Sequence, residues 1–514
     1  MHKTFVLFAT IVLLALAGIS SALDAEEIAA GVMHPLEVYV RAATGNHNAP
    51  LTERDIAVAY SVETTPDQAS SLMKRRLTPH LMTWFQSQLD SYPILTTSPE
   101  QIHIALTTDA SNVTVLWTSS NVSVSSQVCY YREADGPSSQ TCNNGTTWTY
   151  FPLSVVLWYG SLHGAHMTGL EPATRYCYIV GDPVLNVFAA NASCFTSPQL
   201  IKDSITVALG GDMGSVQLFG YLVADRMRSD EISQSINYDA FWLLGDIAYS
   251  TLDPGPRSPN GEFFWDIFMR QEESFANHVP MLVTYGNHDF DAGDSAAFIN
   301  RYRNPQGGEG YDNFYWSYTH GPVKFVSMCT EVALVPTICD FAPGSAQYVW
   351  LEQQFASVNR TETPWLILGG HRPMYSSDLA TDSGPLQLYI EPLLKKYNVD
   401  VQLAGHMHET ELVAPVFNNT PFLTGVTKAE GSNSWTVVNP QAPMHITAGS
   451  LGAVQDESYP SVEYDWSLFH SGTLFDDAYG YVRLVANRSS LQFIFAKQED
   501  GSTLWEVTVQ KTLA

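Results

Sequence analysis

Five apolar runs in the second half of the chain each end on a glycine followed by a polar side chain. They are ITVALGGD, ending at Asp212; YDAFWLLGD, at Asp246; PMLVTYGNHD, at Asn287, His288 and Asp289; PWLILGGH, at His371; and VDVQLAGHMH, at His406 and His408. Short apolar runs separated by stretches of helical period are the pattern of buried strands in an α/β core. Tyr348, Leu351, Phe355 and Val358 form one helical stripe, and Leu386, Tyr389, Ile390, Leu393 and Leu394 a second. Ligand sites in such sheets form beyond the carboxyl ends of the strands. Five strands ending this way therefore bring their side chains to one crevice. Glycines at 211, 245, 286, 370 and 405 let the backbone turn sharply there. Taken singly, each block reads as a turn, a helix cap or a hydrogen-bonded core histidine; all five in order read as a site.

Carboxylates and imidazoles together suit first-row transition metals. The donors are too many for one tetrahedral ion and enough for two octahedral-like ions. A carboxylate shared by two ions holds them about 3.5–4 Å apart, a spacing suited to phosphoryl displacement.

The blocks GDMG, GDIAY, GNHD, GGH and GHMH resemble the five signature blocks of the metallophosphoesterases, and among them the purple acid phosphatases. Gly214 stands where other metallophosphoesterases usually carry a histidine, and Tyr249 stands where purple acid phosphatases carry an iron-binding tyrosine. The resemblance spans roughly residues 205–410. It implies an α/β fold: a β-sandwich flanked by helices, with a βαβαβ metal-binding core. It also implies Fe(III) on Asp212, Tyr249 and His408, a divalent ion (Zn, Fe or Mn) on Asn287, His371 and His406, and Asp246 bridging. His288 corresponds to the substrate-side histidine that binds phosphate or protonates the leaving group. Two departures stand out. Asp289 replaces a common glutamate, and HRPMYSSDLATDSG lacks the pocket histidines that many members carry after His371. Arg372, Tyr375 and Asp378 are the candidates for that space.

Between about residues 98 and 200, runs such as QIHIALTT, NVTVLWTSS and TRYCYIVG alternate at period two, which predicts an all-β sandwich. GLEPATRYCYIV resembles a late strand of fibronectin type III-like domains, as in the larger, plant-type phosphatases. Residues 201–514 are expected to form the catalytic domain, completed by β-like runs from about 431. Residues 1–22 have the basic start, apolar stretch and small-residue end of a signal peptide; the alternative is an N-terminal membrane anchor, for which the apolar run at 5–19 falls short of the usual ~20 residues. Residues 23–97 form an extension without a functional reading.

Six cysteines fall into the neighbouring pairs 129/142, 177/194 and 329/339, the favoured disulfide pairing among 15 connectivities. Sequons begin at Asn112, Asn121, Asn144, Asn191, Asn359, Asn418 and Asn487. These features point to a secreted protein, extracellular or in a lysosome- or vacuole-like acidic compartment. A net charge of −27 argues against nucleic-acid partners and anionic membrane surfaces. It leaves small phosphate esters open, because metal charge dominates a pocket locally. The expectation is a secreted acid phosphatase that hydrolyses phosphate monoesters with a metal-bound hydroxide. The alternatives are a phosphodiesterase or nucleotide pyrophosphatase on the same core, or a binding protein with a vestigial site. A homodimer is compatible with the sequence.

Overall fold

Period-two patterning between residues 100 and 196 folds as two antiparallel sheets packed face to face. In one, the order is Glu100–Leu106, Val113–Ser120, Gly160–Met167, Thr146–Trp148; in the other, Thr141–Asn144, Gln127–Arg132, Arg175–Asp182, Val187–Phe188, with Ser193–Thr196 also on Arg175–Asp182. Ile104, Val115, Trp117, Tyr178 and Phe195 fill the space between them. The computed structural model describes residues 95–150, 158, 160–215, 219–250, 261–290, 295–305, 313–378, 383–453, 464–471 and 478–512. The expected signal peptide and nearly all of the extension to residue 97 lie outside the described residues. Cys129–Cys142 and Cys177–Cys194 join residues directly opposite on neighbouring strands, and Cys329–Cys339 is the third bridge. All three are the nearest-neighbour pairs expected.

From Ser204 onward the chain builds two mixed sheets. The eight-stranded one carries the parallel strands Met281–Val283, Ala240–Leu243 and Ser204–Gly210 at one edge. The seven-stranded one is centred on the parallel strands Val323–Ser327, Trp365–Gly369, Val401–Ala404 and Met444–Ala448. Their inner faces share one apolar layer that includes Leu209, Trp242, Phe325, Ile367, Leu403, Phe493 and Trp505. A Cβ on Gly369 would lie 2.2 Å from the Trp242 ring, so glycine is what allows the two sheets to close there.

Helices Phe219–Ser233 and Gly261–Ala276 cover the outer face of the first sheet through Val223, Met227, Trp265 and Phe268. Helices Ala346–Ala356, Gly384–Tyr389 and Glu391–Lys396 cover the second. The second helical stripe is therefore two short helices rather than one. Pro392 in the first turn of the later helix cannot supply the N–H that a continuous helix needs, and the chain breaks at Ile390. Among the described residues no helix is long and apolar enough to cross a membrane.

The N-terminal sandwich is tied to the second domain through Arg301, which is 1% exposed. Its guanidinium donates to Glu262 at 2.8 Å, Asp266 at 2.9 Å, the Tyr150 hydroxyl at 2.8 Å and Gln101 Oε1 at 3.0 Å. Trp158 Nε1 donates to Asp266 at 3.1 Å.

Candidate metal centre

The five strand ends converge where the carboxyl edges of the two sheets meet. Strands of the eight-stranded sheet deliver Asp212, Asp246, Tyr249 and Asn287, all oxygen donors. Strands of the seven-stranded sheet deliver the imidazoles of His371, His406 and His408. Past the strand ends the loops stay laced together: Asp212 N–H donates to the Gly245 carbonyl at 3.1 Å and Gly405 N–H to the His371 carbonyl at 2.9 Å.

Two groups of donors result. In the first, the Tyr249 hydroxyl donates to Asp212 Oδ1 at 3.0 Å and lies 2.6 Å from His408 Nε2, which is 3.5 Å from the same carboxylate oxygen. In the second, ligand atoms of Asp246, His371 and His406 lie within 4.8 Å of one another. His371 Nδ1 donates to the Leu244 carbonyl at 2.9 Å, which turns Nε2 toward Asn287 Oδ1 at 3.1 Å and Asp246 Oδ2 at 3.3 Å. Fixing one imidazole nitrogen on a carbonyl is how metal-ligating histidines are oriented.

The backbone is strained at this point. Asp212, Asp246, Tyr249 and His406 all have left-handed φ, between 50° and 68°. Such conformations cost about 1–3 kcal/mol each outside glycine. Gly245, at φ 87°, is closed against His371: a Cβ there would lie 2.5 Å from Nδ1.

The chemistry of the set fits metal ions. Asp246 is 1% exposed, and its Oδ1 accepts from His288 N–H at 2.7 Å. Its Oδ2 is buried with no hydrogen-bond partner, although it is within ion-pair reach of His371. A buried carboxylate oxygen left this way is costly unless a cation takes it. Burial opposes charge on Asp246, yet His371 and His288 hold its carboxyl well below the usual range. Against the same burial, Asp246 pushes His371 up to about 10. Burial, then His371 and Arg372, drive His406 well below its ordinary value, leaving a neutral imidazole of the kind metals bind.

All eight expected residues lie together. His288 is partly exposed and stacks on Tyr249 with ring centroids 4.6 Å apart. Asp289, outside the donor set, accepts backbone N–H bonds from Gly286, Asp246 and Ile247 at 2.8, 3.1 and 2.9 Å. It fastens the second and third loops to each other. Of the candidates for the missing histidines, only Arg372 reaches the donors, with Nη1 2.9 Å from His406 Nε2. Tyr375 turns into the core against His445 and Trp466 and donates to Glu391. Asp378 is buried within electrostatic reach of His470.

One site residue has no counterpart in the sequence reading. Glu331, 1% exposed, accepts a fork from Arg372 at 2.9–3.1 Å. It follows the strand Val323–Ser327, a sixth strand end that reads MCTE and lacks the glycine that marks the others.

Fold and donor set together define a metallophosphoesterase. The Calcineurin-like phosphoesterase family matches residues 206–410, flanked by the Purple acid Phosphatase N-terminal domain at 99–193 and the Iron/zinc purple acid phosphatase-like protein C domain at 442–504. The chain belongs to the purple acid phosphatases, a family with a two-metal centre. It is 29% identical over 449 residues to the zebrafish (Danio rerio) protein "Acid phosphatase type 7", covering 81% of this chain and 92% of that one. It is 28% identical over 387 residues to Arabidopsis thaliana "Probable inactive purple acid phosphatase 27", covering 68% and 58%. Among solved structures, purple acid phosphatase PPD1 from yellow lupin seeds shares the fold. Its TM-score is 0.67 and its identity 21%, over 81% of this chain and 75% of that one.

Proposed function

We propose that this chain is a secreted acid phosphatase acting on phosphate monoesters at a binuclear centre. Asp212, Tyr249 and His408 would hold Fe(III); Asn287, His371 and His406 would hold a divalent ion (Zn, Fe or Mn); and Asp246 would serve both. The observation that carries this assignment is the buried Oδ2 of Asp246, which has no hydrogen-bond partner and lies in one cluster with ligand atoms of His371 and His406. Phenol and carboxylates, as hard donors, suit the trivalent ion, and imidazoles and an amide the divalent one. When bound, such an ion pair acidifies and aligns a water and neutralises charge on the phosphoryl oxygens.

The chain's own groups do the rest. Asp289 and the Leu244 carbonyl fix the loops and the His371 ring, so the donors are arranged before substrate arrives. His288 N–H holds Asp246 in place, while its partly exposed imidazole delivers a proton to the leaving alkoxide oxygen. Secretion is supported by three disulfides and by sequon asparagines 121, 144, 191, 359 and 418, which are exposed.

Metal analysis with a visible spectrum tests the assignment. The expected result is one iron and one divalent ion per chain, a purple phenolate-to-Fe(III) band lost in Tyr249→Phe, and p-nitrophenyl phosphate hydrolysis fastest below pH 7. A metal-replete wild type without a visible band overturns the iron assignment. Unchanged hydrolysis in Asp246→Asn overturns the site.

A further inference from the structure

Arg372 is a fixed cation at the edge of the donor set. Its Nε and Nη2 fork onto Glu331 at 2.9–3.1 Å, and its backbone N–H donates to Thr330 Oγ1 at 3.1 Å. Thr330 Oγ1 in turn donates to Glu331 Oε1 at 2.9 Å. The segment carrying Glu331 is braced by the Cys329–Cys339 bridge and by Gln347, whose amide bonds the backbone of both cysteines. The Arg372 side chain keeps 27% exposure, whereas His371 and Asp246 beside it are closed off from solvent.

Only Nη1 lies outside this clamp, and it donates to His406 Nε2 at 2.9 Å. That nitrogen has a single lone pair: an ion on Nε2 takes it, and an ion on Nδ1 leaves the neutral ring's proton on Nε2, so in neither case can it accept from Arg372. With an ion on His406, Nη1 is released while Glu331 still holds the other edge of the guanidinium. A charged donor then stands at the rim of a cationic pocket with no protein acceptor assigned to it, a place that an anion completes.

We propose that Arg372, positioned by Glu331, is the group that reads the substrate's phosphate and selects monoesters over diesters. This rests on the two-ion assignment above and adds the residue that decides substrate class. A monoester dianion carries a third non-ester oxygen and a second charge, both absent from a diester. Guanidinium matches phosphate oxygens in geometry and stays charged throughout the acidic range, unlike a histidine in the same space.

The test compares wild type with Arg372→Gln, Arg372→Lys and Glu331→Gln. Measured are kcat and KM on p-nitrophenyl phosphate and bis(p-nitrophenyl) phosphate, inhibition by inorganic phosphate, and metal content. Arg372→Gln should raise the monoester KM and weaken phosphate inhibition roughly 10- to 100-fold, the reach of one charge-assisted hydrogen bond. The diester should change far less, and metal content should hold. Arg372→Lys, keeping the charge without the fork, should fall between. Glu331→Gln, which loosens the Arg372 clamp while leaving Arg372 in place, should raise the monoester KM more than it lowers kcat. Unchanged phosphate inhibition in Arg372→Gln, equal losses on both esters, or loss of metal in step with activity overturns the assignment. A metal-loaded wild type that hydrolyses neither ester instead overturns the phosphatase reading itself.

Discussion

Raising the pH from 6.5 to 8 should destabilise this protein, with Glu272 carrying much of the effect. Glu272 lies on the helix Gly261–Ala276 with no exposed surface; Oε1 accepts from Gln271 at 3.4 Å and Oε2 has no partner. Burial pushes its carboxyl up from 4.5 to about 8. A folded-state value above the unfolded one contributes stability that is complete below about pH 4.5 and lost as pH rises through about 8. Burial moves Glu273 and Glu411 the same way, each to about 7.

Three buried histidines away from the donor set act in the opposite sense. Burial lowers His103 and His163 to about 4 and His445 to about 3, so their contribution is lost as pH falls below about 6.5. The two sets offset each other at mildly acidic pH, and above 6.5 the raised carboxyls and the raised His371 all lose stability in the same direction. At 1.36 kcal/mol per pH unit, Glu272 alone costs about 2 kcal/mol between pH 6.5 and 8. Glu272→Gln keeps the shape and cannot ionise. In urea unfolding at matched metal content, wild type should lose about 2 kcal/mol more than the variant over that interval. Parallel pH profiles for the two proteins would refute the reasoning.

Two further perturbations test the frame. Arg301→Met leaves Glu262 and Asp266 buried without their cation and should cost about 3–5 kcal/mol of unfolding free energy, with faster proteolysis between the N-terminal sandwich and the second domain. A loss below about 1 kcal/mol would contradict the role given to that network. Gly286→Ala sets a Cβ 2.3 Å from Asp246 Oδ1 and its backbone nitrogen, and should reduce bound metal per chain, read by elemental analysis, in protein that remains folded.

The donor set was legible because each member sits within a few residues of a strand end, where apolar run, glycine and ligand form one local pattern. The same local character made the disulfides readable: each links cysteines at most 17 residues apart. Glu331 escaped because its strand end carries no glycine, and only its contact with Arg372, 41 residues away, reveals its place. The Arg301 network escaped for a stronger reason. Gln101 is 200 residues from Arg301, and nothing near either residue signals the other. Apolar spacing suggested one helical stripe over residues 386–394, but Pro392 outweighs periodicity, because a missing donor cannot be offset by a well-placed side chain.

Gly369 against Trp242 has a meaning beyond close packing. Every oxygen donor rides on one sheet and every nitrogen donor on the other, so the thickness of the apolar layer is a caliper for both ions at once. A bulkier residue in that layer would slide all the imidazoles together relative to all the carboxylates, with no ligand altered. Ion spacing, and with it the choice of metal, is thereby open to tuning from the interior of the sandwich, among residues that never touch an ion.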